Sequence, residues 1–218
     1  VEIDPVVVEL AERHFYFTPD EGMRVYVEDG RAFLRRNPDL EWDAIILDAF
    51  NSGGRLPFHL MTQEFLESVK AHLTPDGVVL ANLPSALAGE AGSLFHAEYR
   101  TFREVFNAVY VFPRHDPAEQ DANSQEWWQR MRNVFVAVNL VEPRSKAELL
   151  AQAERFWGHL GRDPHRREET ELFYLKFHAV NLLEQETLED RIDLAGERML
   201  TNDYAPVDTL VFENAPTE

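Results

Sequence analysis

The sequence predicts a doubly wound α/β fold: a mostly parallel sheet with an antiparallel edge hairpin and a C-terminal helical appendage. Three observations carry that expectation. The run Ala44-Ile45-Ile46-Leu47 lacks the polar alternation of a half-exposed strand and reads as a strand buried on both faces. Strand-like and helix-like segments alternate through the first half of the chain. Acidic residues stand where successive strands give out, at Glu2, Asp29 and Asp48.

Taken in order, Val1 to Ile3 reads as the tail of a strand whose beginning lies before Val1, since ordinary strands run about five or six residues. Asp4-Pro5 reads as a helix N-cap followed by proline at the first helical position, with Val6, Val7, Leu10, Ala11 and His14 at helical spacing. Arg24 to Glu28 is an alternating, β-branched strand that ends at Asp29-Gly30, and Arg31 to Arg36 follows as a short helix. After the strand ending at Asp48 comes a loop, then a helix from Thr62 to His72 with Phe65, Leu66, Val69 and Leu73 on one face. Pro75-Asp76-Gly77 marks a turn, Val78 to Leu83 a further buried strand, and Tyr99, Phe102, Val105 and Phe106 the apolar side of the next helix.

Alternation then breaks. Val109 to Phe112 and Asn133 to Leu140 lack a crossover helix between them, so an antiparallel pair at the sheet edge is expected. The polar stretch between them holds Trp127-Trp128, which suits a lid or a packing surface. From Ser145 to about Asp190 the chain is helical and charged, one face carrying Leu149, Leu150, Ala153, Phe156 and Trp157 and another Phe173, Leu175, Phe177, Val180 and Leu183. The expected organisation is an α/β domain over residues 1–142 that lacks its first strand, with residues 143–218 packed on it as a helical appendage and closing turn.

With 218 residues and 44% hydrophobic content the chain can bury the core of one ordinary domain. It contains no cysteine, which excludes thiolate chemistry and a disulfide scaffold and suits a reducing, cytoplasmic setting. No apolar run approaches the roughly 18 residues of a membrane span. The net charge of −18 disfavours a nucleic-acid surface and would draw a cationic substrate inward, although most of these carboxylates suit solvated helix faces.

In a parallel sheet with right-handed crossovers, Glu2, Asp29 and Asp48 would share one edge and line one crevice. Such carboxylates can accept hydrogen bonds from ribose hydroxyls, flank a glycine that admits a flat base, or hold a cation and accept a proton. Each could equally cap a helix or turn. His59 could face a substrate or serve packing, and the eight histidines show no metal-ligand spacing, so no metal is expected.

Val1-Glu2-Ile3-Asp4-Pro5, Glu28-Asp29-Gly30-Arg31-Ala32-Phe33-Leu34 and Trp42 to Phe50 together resemble the successive motifs of the spermidine synthase family. Leu200-Thr201-Asn202-Asp203-Tyr204-Ala205-Pro206-Val207 is similar to the closing motif of the spermidine synthase-like proteins. The resemblance is good to about residue 112 and weak between about 113 and 198.

What it implies is a Rossmann-like class I S-adenosylmethionine-dependent methyltransferase fold and a transferase of polyamine biosynthesis. Its cofactor would be S-adenosylmethionine or the decarboxylated form. Glu2 would bind the cofactor ribose, Asp29 with Gly30 would meet the adenine, and Asp48 would help deprotonate the attacking amine. The family's second aspartate is replaced here by Asn51, which weakens the expectation for a polyamine and opens methyl transfer as an alternative. A non-catalytic module with a retained fold is a third reading. Asn51, His59 and Tyr204 are the candidate substrate contacts, Tyr204 alternatively belonging to a packed turn. The expected partners are a small cationic or amine substrate and a second copy in a homodimer.

Overall fold

The computed structural model describes residues 1–50, 56–114, 124–130, 132–160, 182–192 and 194–204. Four strands form its sheet: β1 (Trp42–Leu47), β2 (Leu73–Ser85), β3 (Ala108–Pro113) and β4 (Arg132–Asn139), in the order β1-β2-β4-β3. β1 and β2 run parallel, while β4 is antiparallel to both β2 and β3. The expected antiparallel pair is therefore present, with β4 inserted between β2 and the edge strand β3. Among the described residues seven α-helices accompany the strands: α1 (Pro5–His14), α2 (Gly30–Arg36), α3 (Gln63–Ala71), α4 (Ser93–Val105), α5 (Gln125–Gln129), α6 (Lys146–Leu160) and α7 (Gln185–Glu189).

Local chemistry sets the helix starts. Asp4 accepts a hydrogen bond from the Val6 N–H at 2.8 Å with Pro5 beginning α1, Asp29 accepts from the Ala32 N–H at 2.8 Å at the start of α2, and Thr62 accepts from the Phe65 N–H at 3.3 Å at the start of α3. Each bond satisfies a backbone donor that the first helical turn leaves without a partner.

Period-two alternation divides the sheet into two faces. Ile45, Leu47, Val79, Ala81, Leu83, Val134, Val136 and Val138 share the face that forms the core with α3 and α4. Phe65, Leu66, Val69, Tyr99 and Phe102 are almost fully enclosed there, each such side chain contributing about 1.5–3 kcal/mol of transfer free energy. Leu188, Ile192 and Leu200 join the same cluster from the last part of the chain. The other face carries Ala44, Ile46, Val78, Leu80 and Asn82. At its β3 end Ala108 and Tyr110 pack with Leu182 and Leu149. At its β1 end it is open, and Ile46 is 68% exposed.

That openness corrects the expectation of a β1 buried on both faces. β1 ends the sheet order, and no described element covers the face carrying Ala44 and Ile46. Val1, Ile3, Val6, Val7 and Leu10 are exposed as well, and α1 has no buried residue. The expected strand at Arg24 to Glu28 is likewise reduced to one parallel bridge, Glu2 with Val27, held by Glu2 N–H to Tyr26 O at 2.9 Å and Glu28 N–H to Glu2 O at 3.0 Å. A lone parallel pair without sheet neighbours gains too little burial to extend.

Trp127 and Trp128 lie on α5 and are 5% and 2% exposed. The Trp128 carbonyl accepts from the Leu87 and Ala88 N–H groups, so this pair packs on the loop after β2. The clusters expected around Phe156, Trp157 and Phe173 to Val180 lie outside the described side chains, as does the chain after Tyr204. The turn expected at Pro75 to Gly77 is an irregularity inside β2, where pairing jumps from Trp42–Leu73 to Ala44–Val78.

A Cβ on Gly77 would lie 2.9 Å from the Thr74 carbonyl oxygen and 3.0 Å from that of Trp42. Both obstacles are backbone, so Gly77→Ala should destabilise the protein by about 1–3 kcal/mol. Urea unfolding checks this, and an unchanged midpoint would refute it.

Candidate functional site

The candidate residues fall in two groups. The first gathers around Asp29. The Glu2–Val27 bridge sets Glu2 and Asp29 on neighbouring stretches, and one carboxylate oxygen of Glu2 accepts from the Asp4 N–H at 2.9 Å. Asp29 is half-buried. Its Oδ1 caps α2, while its Oδ2 lies 2.9 Å from His59 Nε2. The capping and site readings of Asp29 are therefore compatible, because one oxygen serves each.

Burial pushes the Asp29 carboxyl upward in pKa. The Ala32 N–H bond, the bond and charge of His59, and the Arg31 N–H together outweigh that, and hold it below the usual 3.8. Gly30 follows directly. Among the described residues, its chain neighbours and own helix backbone aside, none has an atom within 4 Å of where its Cβ would sit, and its φ is not left-handed. Open space therefore borders the residue next to Asp29.

The second group is a polar row on the open face of the sheet. Asp48 follows β1 one residue past the Leu47–Ala81 pair, which sets it beside Asn82. Asn82 Nδ2–H donates to Asp48 Oδ1 at 3.1 Å, and Asn133 Nδ2–H donates to Asn82 Oδ1 at 2.9 Å. Asp48 is exposed, and its Oδ1 is held in orientation by a relay that runs from Asn133 on β4 through Asn82 on β2. An exposed carboxylate fixed in this way can accept a proton from, or pair with, a cationic group approaching the strand ends.

Among the described residues no hydrogen bond joins the two groups directly. Asn51 lies outside the described residues. Tyr204 is half-buried in a turn: Thr201 and Tyr204 form a bridge, and the Arg198 guanidinium lies 4.0 Å from the Tyr204 ring centroid. The turn is anchored at the start of α3, with Gln63 N–H to Leu200 O at 2.7 Å and Asn202 N–H to both oxygens of Glu64 at 3.0 and 3.1 Å. Among the described residues no three His, Asp or Glu side chains converge as metal ligands, and no helix is long and apolar enough to cross a membrane.

Sequence reasoning missed Asn82, Asn133 and Arg31. Asn82 gave a signal as the one polar residue in the apolar run Val78 to Leu83. Asn133 and Arg31 gave none, since their partners are 51 and 28 residues away.

The four-stranded sheet with helices on its core face, and an acidic residue, Asp48, directly after β1, defines a methyltransferase-like α/β fold. It superposes on human methyltransferase-like protein 13 in complex with SAH, with a TM-score of 0.58 and 23% identity over 79% of this chain and 74% of that one. A probable spermidine synthase from Corynebacterium glutamicum gives a TM-score of 0.60 and 18% identity over 92% of this chain and 62% of that one. At those identities the likeness is one of fold.

Residues 1–113 match the spermine/spermidine synthase domain, and the chain belongs to that family. It is 44% identical over 114 residues to a polyamine aminopropyltransferase of Vibrio vulnificus, a match covering 51% of this chain and 36% of the relative. It is also 34% identical over 116 residues to an N-terminal histidine N-methyltransferase of Emericella nidulans, and 36% over 120 residues to an eEF1A lysine and N-terminal methyltransferase of Bos taurus. Each of these matches covers 51% of this chain, and they span 20% and 17% of the respective relatives. The chain thus spans about a third or less of the curated relatives it matches.

The lowered Asp29 pKa yields a linkage prediction. Asp29 contributes stability that is fully present above the unfolded value of 3.8 and is lost as pH falls through the lower folded value. Removing the imidazole in His59→Ala should raise the Asp29 pKa towards 3.8. Carboxyl NMR titration measures it, and an unchanged Asp29 curve would contradict the pairing.

Proposed function

We propose that this protein is an adenosyl-cofactor-dependent transferase that moves an aminopropyl group onto a polyamine-type amine. The observation that carries the reading is Asp48, exposed at the end of a parallel strand and oriented by Asn82, in a chain whose first 113 residues match the spermine/spermidine synthase domain. The 44% identity to a polyamine aminopropyltransferase supports the aminopropyl donor.

The residues fit an adenosyl group. Gly30 leaves room beside Asp29 for a flat base, and Glu2 retains a carboxylate oxygen beyond its bond to Asp4, suited to ribose hydroxyls. Such a cofactor, when bound, supplies an electrophilic carbon beside a sulfonium and a neutral thioether leaving group. Asp48 accepts hydrogen bonds from the acceptor's ammonium and takes up its proton, leaving the nitrogen lone pair free to attack. Asn82 and Asn133 keep the carboxylate aimed. Aligning two reactants in this way supplies much of the catalysis for a displacement. The charge of −18 favours approach of a cationic acceptor to the molecule.

Methyl transfer is the second reading. Asn51 stands where the family's polyamine-binding aspartate would be, and two relatives above 30% identity are named as methyltransferases. Lysine and α-amino acceptors need the same deprotonation, so Asp48 keeps its role.

Isothermal titration of the protein in its full natural length against S-adenosylmethionine, its decarboxylated form and methylthioadenosine separates these readings. Preference for the decarboxylated donor, lost in Asp29→Ala, supports aminopropyl transfer. Preference for S-adenosylmethionine moves the assignment to methyl transfer, and no binding of any of the three leaves a non-catalytic module.

In turnover assays with the preferred donor, Asp48→Asn should lower kcat by about 10²-fold or more, leaving donor affinity within about twofold. Asn82→Ala should lower it by roughly tenfold, the scale of one hydrogen bond to a charged group. Full activity in Asp48→Asn would rule out its proposed role.

A further inference from the structure

His59 ties Asp29 to the turn that precedes α3. It sits in a short 3₁₀ turn, Phe58–Leu60, whose next residues are firmly seated: Leu60, Met61 and Thr62 are buried. Arg31, one residue past Gly30, donates from Nη1 to the His59 carbonyl at 3.0 Å and lies 3.4 Å from Thr62 Oγ1. Thr62 Oγ1–H donates to Asn202 Oδ1 at 3.2 Å, and Asn202 in turn is held by Glu64. Thus the backbone of the turn is fixed from α2, from α3 and from the closing turn near Tyr204.

The side chain is treated differently. With its backbone pinned, His59 directs Nε2 to Asp29 Oδ2 at 2.9 Å, while the imidazole and the carboxylate each remain about one-third exposed. A bond formed only to stabilise the turn would gain most by being enclosed, because solvent competes with an exposed pair. A bond that holds a ligand-facing carboxylate must leave that carboxylate reachable. Asp29 has one oxygen committed to Ala32 and the other to His59, so its plane is defined from two directions before any ligand arrives. That is the preorganisation that directional recognition of an exocyclic amine requires.

We infer that His59 is a positioning residue for the base end of the adenosyl site, fixing the Asp29 carboxylate through its Nε2 hydrogen bond. The inference rests on the adenosyl reading above. It gives His59 a role at the cofactor's base, whereas the sequence left it between a substrate contact and a packing role.

The test compares wild type, His59→Leu and His59→Gln in the full-length protein. Leucine removes the donor, and the glutamine amide nitrogen can replace Nε2. Dissociation constants for S-adenosylmethionine and methylthioadenosine are measured with the Tm of each variant, and kcat is measured with saturating donor. His59→Leu should weaken both ligands by the same factor, roughly tenfold for a lost hydrogen bond to a charged group, with kcat little changed. His59→Gln should recover most of that loss although its Tm is no higher than that of His59→Leu.

Unchanged affinity in His59→Leu would overturn the inference and leave the adenosyl reading intact. So would affinity losses that follow Tm in both variants, or a loss in kcat alone, which would return His59 to the acceptor side. Failure of the wild type to bind either ligand would overturn the inference and the reading beneath it together.

Discussion

The parallel pairing of β1 with β2, in a register that sets Leu47 against Ala81, is the constraint on which the rest of the molecule depends. Because side chains alternate along both strands, that register sends Ile45, Leu47, Val79 and Ala81 into the core as a set and Asp48 and Asn82 to the opposite face as a pair. A slip of one residue would reverse both. The same step would place a carboxylate among Phe65, Leu66 and Val69, where an unpaired charge is too costly to keep. The requirement to bury apolar surface therefore also fixes the polar row.

β2 carries that constraint across the sheet. It pairs with β1 on one side and β4 on the other, so Asn82 can donate to Asp48 and accept from Asn133 at once. An amide suits this place because it offers both functions from one planar group. Helix packing gives the remaining order: α3 and α4 cover one face, and the contacts of Leu182 and Leu149 cover the far end of the other. What stays open is the stretch beside β1, where the proposed acceptor chemistry sits.

Asp29 shows how one side chain can serve the fold and the proposed site together. As an N-cap it satisfies a backbone donor of α2, and that bond immobilises the same carboxylate that faces the open space beside Gly30. His59 and Arg31 add to this from opposite directions: Arg31 holds the backbone of the turn that presents His59, and His59 returns to Asp29. The closing turn at Thr201 to Tyr204 braces the same assembly through Asn202 and Thr62. The motif at the end of the chain thus acts on the start of α3.

Local features were legible in the sequence because their causes are local. Asp4-Pro5, Asp29-Gly30 and Thr62 announce helix starts through bonds spanning two or three residues, and the 3.6-residue spacing of Phe65, Leu66 and Val69 or of Tyr99, Phe102 and Val105 announces which face is buried. The acidic strand ends, and hence Glu2, Asp29 and Asp48 as candidates, followed from the same local reading. Burial of β1 was misread, because an apolar run reports what a strand can bury and its place at the end of the sheet order decides what is covered.

By itself, then, the sequence determined most of the helices and sheet strands, the caps of α1, α2 and α3, their apolar faces and the acidic residues Glu2, Asp29 and Asp48. Only the tertiary structure decided that β4 lies between β2 and β3, that Asn82 and Asn133 orient Asp48, and that His59 belongs with Asp29. Those outcomes depend on partners from about 30 to 60 residues apart, and side-chain spacing along the chain carries no information about which distant group will stand opposite.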